Sequence, residues 1–517
     1  MKTPPFAALP KLTTASLATL LLAGCAMGPN YKRPEVETPA QYKEQTGPWK
    51  KAEPQDAIAK GAWWEIFHDS VLDDLEGQAQ SNNQDLKAAV ARVSEARATA
   101  RLSASQFYPN ISLDPSAQEI HANANSLTPP GLTPPAYTGS SYQVPLDLSY
   151  EIDFWGRIRR SFEATNEQAR ASVADYENVL LTLKADMAQD YFSLRALDTQ
   201  RDLLDRTVEI RKKALDLTTA RFQGGASSEL DVAQAETELH SVQAQALDIG
   251  VQRAKLEHAI AVLVGKPASS FSIAPRPQKA SEVPPPIPAG LPSDLLERRP
   301  DVASAERLMA SANARIGASQ AAFFPAVKLV GDFGFESKNI TNIFSWSSRS
   351  WGFGPEISLP IFDGAANTAN LRNARASYDE AAANYRQQIL VAFADVEDGL
   401  SGLRILSEEA DAQGKTVASA QKASDISEQR YKQGLVNYLQ IVDAERTLLD
   451  NQRQATVVQG QRFVTAVLLV KALGGGWNDA TLLPYGDPRP GEKPQTPPVS
   501  PASFTPSAIL APPAPGQ

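Results

Sequence analysis

Two copies of one pattern decide the fold of this chain: RFQGGASSELDVAQAETEL at residues 221–239 and RYKQGLVNYLQIVDAERTL at residues 430–448. Each residue of the second copy lies 209 positions after its counterpart, with no gap from Leu194 and Leu403 to Gly265 and Gly474. Further upstream the matching motifs are separated by other offsets, which indicates that the loops of the two copies differ in length. Self-similarity at a fixed period predicts two tandem structural repeats.

Very long helical segments precede both copies of the pattern. They cover residues 157–223 and 365–433, and no proline interrupts either of them. At 1.5 Å per residue each would span roughly 100 Å. No single globular core needs a helix of that length, so we expect coiled-coil packing.

Glycines mark the turns that follow these helices. Gly224, Gly225 and Gly434 are predicted to end them, since glycine accepts the left-handed conformation found just after a helix. New helical patterns then run to Val264 and to Leu473. The sequence therefore predicts two antiparallel helix hairpins, with these glycines at their turns.

Four short segments between the helices alternate apolar and polar residues, which is a strand signal. The alternation is clear in residues 143–152 and 351–361 and weaker in 108–118 and 325–336. Lengths of about 9–11 residues fit the strands of a membrane β-barrel, apolar towards lipid and polar towards a lumen. Half-buried hairpins of a soluble domain fit the alternation equally well. The long helices and the lipid-anchor signal described next favour the membrane.

The N-terminus carries a processing signal. Residues 1–24 contain lysines followed by an apolar stretch that is too short to span a membrane. They lead into Cys25, the only cysteine, through Leu-Ala-Gly, which resembles the bacterial lipobox. We predict that Cys25 becomes the mature N-terminus and carries a covalent diacylglycerol and an N-acyl lipid, anchoring the chain in outer-membrane lipid. Ordinary signal cleavage beside a chance cysteine is the alternative.

A barrel built from four strands must be shared between chains. Outer-membrane barrels have at least eight strands, and an open edge in lipid leaves backbone groups unpaired. Two chains would supply eight strands, three would supply twelve and four sixteen. Because side chains fill an eight-stranded barrel, a conducting pore requires three chains or more. We therefore expect an α+β membrane protein that oligomerises.

Composition argues against catalysis and against nucleic-acid binding. The chain has 517 residues, a net charge of −9, one cysteine and four histidines. A nucleic-acid partner needs clustered positive charge, and one cysteine cannot build a cysteine-based zinc site. His240 and His258 would lie about 27 Å apart along a helix. With no phosphate loop or nucleophile motif, we expect no enzyme, no catalytic residue and no metal site.

The predicted organisation has six parts. In chain order they are a signal peptide (1–24), an extended anchor segment (25–68), repeat 1 (69–266, hairpin strands at about 108–153), a Pro-rich linker (267–293), repeat 2 (294–476, hairpin strands at about 325–362) and a Pro-rich tail (477–517). Each repeat reads helix, strand pair, long helix, turn, helix. The composition of the tail is typical of disordered or extended chain.

Several short motifs are specific in combination: Gly28–Pro34 after Cys25, Trp63-Trp64 with Phe67, Tyr150–Gly156, Leu291–Asp301, Tyr431–Gly434 and Ala472–Trp477. By these motifs the chain resembles the outer-membrane factors of tripartite RND-type efflux systems, the TolC/OprM-like, NodT-type lipoproteins. The resemblance covers about residues 22–484. It implies a homotrimer with a twelve-stranded barrel, continuous with a long periplasmic α-helical barrel. It also implies a periplasmic adaptor (membrane fusion) protein and an inner-membrane RND-type transporter as partners.

The resemblance also implies a function and a gate. The family supplies a passive exit duct for drugs, solvents or other small toxic compounds, closed at its periplasmic end near the helix-hairpin turns. Leu439 and Asp443 fall at the family's apolar and acidic constriction positions, Arg446 at a linking position, and Asp231 lies at a comparable depth in the first repeat. Some relatives carry arginine where this chain has Val436. A duct for type I protein secretion and a lipid-anchored coiled-coil scaffold without a pore are the alternatives.

Overall fold

The computed structural model describes residues 26–36, 38–39, 41–44, 62–122, 137–279, 281–287 and 299–475. The predicted signal peptide, Cys25 and the Pro-rich tail lie outside the described residues.

Helices dominate the described chain. In chain order they are α1 (Ser70–Asn82), α2 (Gln84–Ser105), α3 (Arg157–Gln223), α4 (Glu229–Leu263), α5 (Pro300–Ala321), α6 (Ala366–Lys432) and α7 (Tyr438–Ala472). Helices α3 and α6 each have 67 residues, and α4 and α7 each have 35. Helix α3 has the bounds predicted from the absence of proline, and α6 is one residue shorter at each end than the predicted segment 365–433. Among the described helices, none has an apolar stretch long enough to cross a bilayer.

The first helical segment differs from its prediction. The sequence predicts one helix at the start of repeat 1, but the structure has two, α1 and α2, which meet at Asn83. The Asn83 side chain accepts a hydrogen bond from the Leu86 backbone N–H at 2.9 Å and donates one to the Leu263 carbonyl at 3.0 Å. An N-cap of this kind starts a new helix, and the bond to Leu263 ties that start to the end of α4.

The strands form one antiparallel sheet, and in chain order they lie between α2 and α3 and between α5 and α6. Its strands are β1 (Asn110–Leu113), β2 (Ser116–Ala122), β3 (Tyr137–Ile152), β4 (Ala326–Ser337) and β5 (Arg349–Ser358). Strands β1 and β2 both pair with β3, and β3, β4 and β5 follow in that order. The sheet is therefore four strands wide, because β1 and β2 lie one after the other along the same edge of β3. The expectation of one continuous strand there is wrong at Asp114 and Pro115, because proline has no N–H to donate to a ladder.

The two faces of the sheet differ in polarity. On one face Leu146 lies opposite Phe333, and Phe333 lies opposite Trp351. Trp351 is 73% exposed and Phe333 is 52% exposed. On the other face Asp147 lies opposite Asp332. The sheet thus presents large apolar side chains outward on one side and carboxylates on the other.

The main apolar core lies about halfway along α3 and α6, where α1, α5 and α7 also pack. Phe192 stacks on Phe463 with ring centroids 4.9 Å apart and contacts Phe67 at 4.8 Å. Tyr191 and Trp63 are each 1% exposed. Burying a large apolar side chain stabilises a fold by roughly 1.5–3 kcal/mol, so this region holds the long helices together.

A buried polar network borders this core. The Asp69 carboxylate accepts hydrogen bonds from the Tyr191 hydroxyl at 2.9 Å, from Arg195 at 3.0 Å and from Arg276 at 2.7 Å. It also accepts one from the Val71 backbone N–H and so caps α1. We call Asp69, Tyr191, Arg195 and Arg276 the Asp69 network. Every partner of the buried Asp69 carboxylate is a donor, which is the condition for burying a charge without a large penalty.

The N-terminal segment is fixed where the sheet meets the helices. The Met27 N–H donates to the Trp155 carbonyl at 3.0 Å. Arg160, only 4% exposed, donates to the Met27 carbonyl at 3.0 Å and to the Asn30 side chain at 2.7 Å. A Cβ added to Gly28 would lie 2.4 Å from the Cα of Gly317. The described chain therefore begins tightly packed against α3 and α5.

Candidate functional site

The free ends of the two helix hairpins form the tip, which we define as the turns after α3 and α6 with the adjoining helical turns. After α3, the Gly225 and Ala226 N–H groups donate to the Phe222 and Arg221 carbonyls. After α6, the Gly434 and Leu435 N–H groups donate to the Tyr431 and Arg430 carbonyls. This paired pattern is the Schellman motif, so both hairpins turn in the same way.

Only one glycine at each turn has the left-handed conformation. Gly225 has a φ of 73° and Gly434 a φ of 74°. Gly224, expected to share this role, has a φ of −81° and follows the helix in an ordinary conformation. The expectation is corrected for Gly224, because the Schellman motif needs a single left-handed residue after the helix.

Asp231 has a local role at the start of α4. Its carboxylate accepts a hydrogen bond from the Ser228 N–H at 3.1 Å, while the Ser228 hydroxyl accepts from the Asp231 N–H at 3.3 Å. These reciprocal bonds form a capping box, which stabilises a helix start. The Asn437 side chain caps α7 in a similar position by accepting from the Gln440 N–H at 3.2 Å.

The three gate candidates on α7 lie on an accessible face. Leu439 is 45% exposed, and Asp443 is exposed as well. Among the described residues, no donor is placed within hydrogen-bond distance of the Asp443 carboxylate. The Arg446 side chain is 53% exposed and pairs with Glu238 of α4, where its Nε donates to Oε1 at 2.7 Å. The structure thus keeps Leu439 and Asp443 accessible and directs Arg446 to the other hairpin.

A cluster of four charges joins the two hairpins behind this face. We call Arg211, Glu238, Glu445 and Arg446 the tip ionic cluster. Arg211 is 2% exposed and Glu238 is 4% exposed, with 3.9 Å between Arg211 Nη2 and Glu238 Oε2. Arg211 also donates to Glu445. Burial lowers the pKa of Arg211, and the hydrogen bond to Glu238 raises that of Arg446.

Sequence reasoning missed this cluster, although the sequence holds a signal for it. Glu238 and Arg446 are 208 positions apart, and so are Gln245 and Arg453, which are joined by a 2.8 Å hydrogen bond. Complementary side chains recurring at a spacing one residue short of the 209-residue repeat indicate that α4 and α7 lie side by side.

Apolar packing at the tip is sparse. Its buried apolar members are Ala235, Tyr438, Ile441 and Val442. The Tyr431 and Tyr438 rings lie 5.7 Å apart, and the Arg221 guanidinium lies 4.8 Å from the Tyr431 ring centroid. Burial raises the pKa of Tyr438. The two hairpins are therefore held together at the tip by a few aromatic and aliphatic groups and by the tip ionic cluster.

The polar face of the sheet carries mixed charge. Glu151 lies opposite Lys328, and Lys328 lies opposite Glu356. Gln143 donates to Glu336 across the strands. Within the described part of the chain, no group of three histidine, cysteine or carboxylate side chains converges to hold a metal ion. This face of the sheet is therefore a polar wall of mixed charge.

Comparison with known proteins gives consistent matches over nearly the whole chain. The family model described as outer membrane efflux protein matches residues 75–266 and 291–475. The solvent efflux pump outer membrane protein SrpC of Pseudomonas putida is 33% identical, covering 89% of this chain and 97% of SrpC. The cation efflux system protein CusC of Escherichia coli O157:H7 is 30% identical, covering 89% of this chain and 97% of CusC. The solved structure of the outer-membrane channel OprN aligns with a TM-score of 0.80 at 29% identity, covering 88% of this chain and all of that one.

Proposed function

This chain belongs to the outer membrane efflux protein family, and from that membership we propose that it is the exit duct of a tripartite efflux pump. It lies in the outer membrane of a Gram-negative bacterium, extends into the periplasm and carries drugs, solvents or other small toxic compounds outward. Its role is transport and not catalysis. The observation that carries the proposal is the two-faced sheet, which continues into a pair of 67-residue helices.

A shared barrel accounts for the edges of the sheet. One edge is formed by β1 and β2 and the other by β5, and neither has a strand partner among the described residues. In lipid each unpaired backbone group costs several kcal/mol. Pairing β5 of one chain with β1 and β2 of the next satisfies both edges. Three chains then close a twelve-stranded barrel, with Phe333 and Trp351 facing lipid and Asp147 facing the lumen.

The same argument extends to the helices. Three copies of the α3–α4 and α6–α7 hairpins form a periplasmic α-helical barrel below the strands. The equal helix lengths support two tandem repeats, 69–266 and 294–476, joined by the linker 267–293. Residues 1–24 are proposed as the signal peptide, 25–68 as the anchor segment with its lipid on Cys25, and 477–517 as a tail.

The tip is the proposed gate. Exposed Leu439 and Asp443 side chains would meet their symmetry copies near the axis, forming an apolar ring and an acidic ring. The Arg446–Glu238 pair would hold α7 against α4 in the closed state, and opening would break it. Asp231 supports the gate indirectly by capping α4. The turns at Gly224, Gly225 and Gly434 are the proposed contacts with the periplasmic adaptor, which links the duct to an RND-type transporter.

Recording from planar bilayers tests the proposal. Purified full-length protein should be a trimer by detergent-corrected light scattering and should give discrete conductance steps. A lipid-anchored scaffold would give none, and a monodisperse monomer would contradict the shared barrel. Deleting the gene should raise sensitivity to solvents and drugs. Loss of a secreted protein without such sensitivity would favour type I secretion instead.

A further inference from the structure

The sheet has one end that is free of helices. Helices α2 and α5 lead into β1 and β4, and α3 and α6 follow β3 and β5. All four of these connections therefore leave the sheet at the same end. The opposite end carries residues 338–348, which join β4 to β5. Since the helices extend into the periplasm, residues 338–348 lie at the outer surface of the membrane.

An arginine and a tryptophan are stacked at this outer end. The Arg349 guanidinium carbon lies 3.8 Å from the centroid of the Trp346 ring. Trp346 is 76% exposed and neighbouring Phe344 is 73% exposed. A guanidinium over an aromatic ring is held by cation–π attraction and keeps the edge with its N–H groups available. We call Phe344, Trp346, Arg349 and Trp351 the outer-rim patch.

Arg349 lies on the apolar side of the sheet. It is opposite Phe335 in the register and two residues from Trp351, so alternation puts it on the face that carries Trp351 and Phe353. No carboxylate of the described chain lies within ion-pair distance of Arg349. Its charge is thus exposed at the top of a lipid-facing surface, where an uncompensated guanidinium requires an anion or water.

The segment that presents the patch is rigidly hydrogen-bonded. The Ser345 and Ser348 hydroxyls lie 2.9 Å apart, and the Ser348 hydroxyl donates to the Asn342 carbonyl at 2.8 Å. The Ser345 and Ser348 N–H groups close two tight turns, and Phe344 packs edge-on against Phe335 at 5.6 Å. The stacked pair is therefore pre-organised, which lowers the entropic cost of binding a ligand.

We propose that the outer-rim patch binds the phosphate group of a phosphorylated glycolipid in the outer leaflet. Arg349 binds the phosphate through its planar N–H edge, as guanidinium groups do in bidentate phosphate recognition. Trp346, Phe344 and Trp351 lie at the level of the lipid headgroups, where aromatic side chains are enriched. The inference rests on the proposed membrane-spanning role of the sheet. It adds a specific lipid site, repeated in each protomer.

Native mass spectrometry of the delipidated full-length protein tests this site. The probes are diphosphorylated lipid A and the same lipid without phosphates, added in equal amounts. The wild type should retain the phosphorylated lipid at least fivefold more strongly. Arg349→Ala should abolish that preference, Arg349→Lys should keep part of it, and Trp346→Ala should weaken it. Arg206→Ala removes a 75% exposed guanidinium on α3, far from the sheet, and should leave the preference unchanged.

The same spectra report the oligomer, so a misassembled variant is recognised at once, and Arg349→Lys then carries the comparison. Equal retention of both lipids by the wild type, or an unchanged preference in Arg349→Ala, overturns the site. Planar-bilayer recording of the same wild-type preparation separates this outcome from failure of the duct. Protein that prefers the phosphorylated lipid but does not conduct refutes the duct and supports the lipid site. Conducting protein without the preference refutes the lipid site alone.

Discussion

The middle of the long helices and their tip are held together by different means. In the middle, aromatic side chains such as Tyr191 and Phe192 are buried among residues of α1, α5, α6 and α7. At the tip, the buried apolar cluster has four members. Because apolar burial supplies most of the stabilisation of a fold, one chain combines a rigid middle with ends whose opening costs little.

The charged groups follow the same division. The Asp69 carboxylate is 4% exposed and accepts from three side chains and one backbone N–H. In the tip ionic cluster, Arg446 is half exposed, and within the described part of the chain it forms an ion pair with Glu238 alone. A fully satisfied buried network rigidifies a structure, whereas a half-exposed pair exchanges readily with water. The comparison supports the proposal that the tip is the gate, next to a fixed middle region that we call the collar.

Breaking the Asp69 network should have the largest effect. Asp69→Asn keeps the size of the side chain but leaves Arg195, 5% exposed, with the partly exposed Glu282 as its remaining counter-charge among the described residues. Breaking a buried ion pair in this way costs about 3–5 kcal/mol, measured as lost stability in thermal unfolding followed by circular dichroism. Arg206→Gln on the same helix breaks an exposed pair and should cost under about 0.5 kcal/mol. Equal effects of the two changes would contradict the proposed collar.

The matching change at the tip is Glu238→Gln. It removes the one ion-pair partner that Arg446 has among the described residues, while Arg211 keeps Glu445. A hydrogen bond to a charged group is worth about 1.5–3 kcal/mol, so stability should fall less than with Asp69→Asn. Resting single-channel conductance should rise, because α7 is released from α4. Glu236→Gln, exposed on the same helix, is the control. If the conductance of Glu238→Gln is as low as that of this control, the Arg446–Glu238 pair does not hold the tip closed.

A buried carboxylate near the middle of the long helices gives a further test of this comparison. Glu76 is 1% exposed and both of its oxygens lack a hydrogen-bond donor among the described residues. Burial, with a smaller contribution from Asp73 and against the attraction of Lys184, raises its pKa to about 9 from an ordinary 4.5. The neutral carboxyl therefore stabilises the fold fully below pH 4.5, and this contribution is lost as pH rises towards 9.

Glu76→Gln should abolish that loss. At pH 8 the variant should be more stable than the wild type by about 1–3 kcal/mol, since it no longer has an unpaired buried acid. Thermal unfolding of both proteins between pH 5 and 9 gives the difference in slope. Glu177, whose pKa burial raises, contributes to both curves. Lys184, whose pKa burial lowers, interacts with the Glu76 carboxylate, so the difference in slope reports Glu76 together with Lys184. Asp74→Asn, exposed on the same helix, is the control, and parallel curves for Glu76→Gln and the wild type would refute the buried neutral acid.

The tip turns offer a matched pair of glycines. Gly225→Ala forces alanine into a left-handed conformation with no atom nearby to clash, so only backbone strain remains, about 1–2 kcal/mol. Gly224→Ala, at a φ of −81°, should be neutral or slightly stabilising. Guanidinium titration of both variants measures the difference. Equal midpoints would show that the turn does not need its left-handed residue.

The smallest change in stability is expected from Asp443→Ala, because no described donor binds that carboxylate. Its effect should lie in conduction alone. Three carboxylates in a narrow pore attract cations, so block by divalent or polyvalent cations from the periplasmic side should weaken. Leu439→Ala should raise resting conductance. Single-channel records in which block, selectivity and conductance all stay at wild-type values would remove both residues from the gate.

Much of this fold was predictable because its signals are local. The bounds of α3 and α6 follow from the absence of proline and from the glycine turns, and the strands follow from alternation. The breaks at Asn83 and Pro115 were missed, although a capping residue and a proline are recognisable signals. Both lay inside patterns that continued on either side, and the longer periodicity dominated.

The polar networks were harder to predict, for a physical reason. Asp69 takes partners from residues 191, 195 and 276, and only the folded core brings those distant positions together. At the tip, Leu439, Asp443 and Arg446 were named through the family resemblance, but positions along one helix cannot reveal that Arg446 binds the opposite hairpin. A search for oppositely charged residues near the 209-residue offset, in addition to identical residues, could have found that partner.

The equal lengths of the paired helices have a consequence for how such a chain can change. Helices α3 and α6 start at the same end of the sheet and both contain 67 residues, so their turns end at the same level. Deleting one residue from a single helix would shift its turn by about 1.5 Å and rotate it by about 100°. The end of the proposed α-helical barrel would then be stepped instead of flat, and the proposed adaptor, meeting it end-on, would lose contact on alternate hairpins. Insertions and deletions should therefore occur in matched pairs, and the two halves of the gene must change length together.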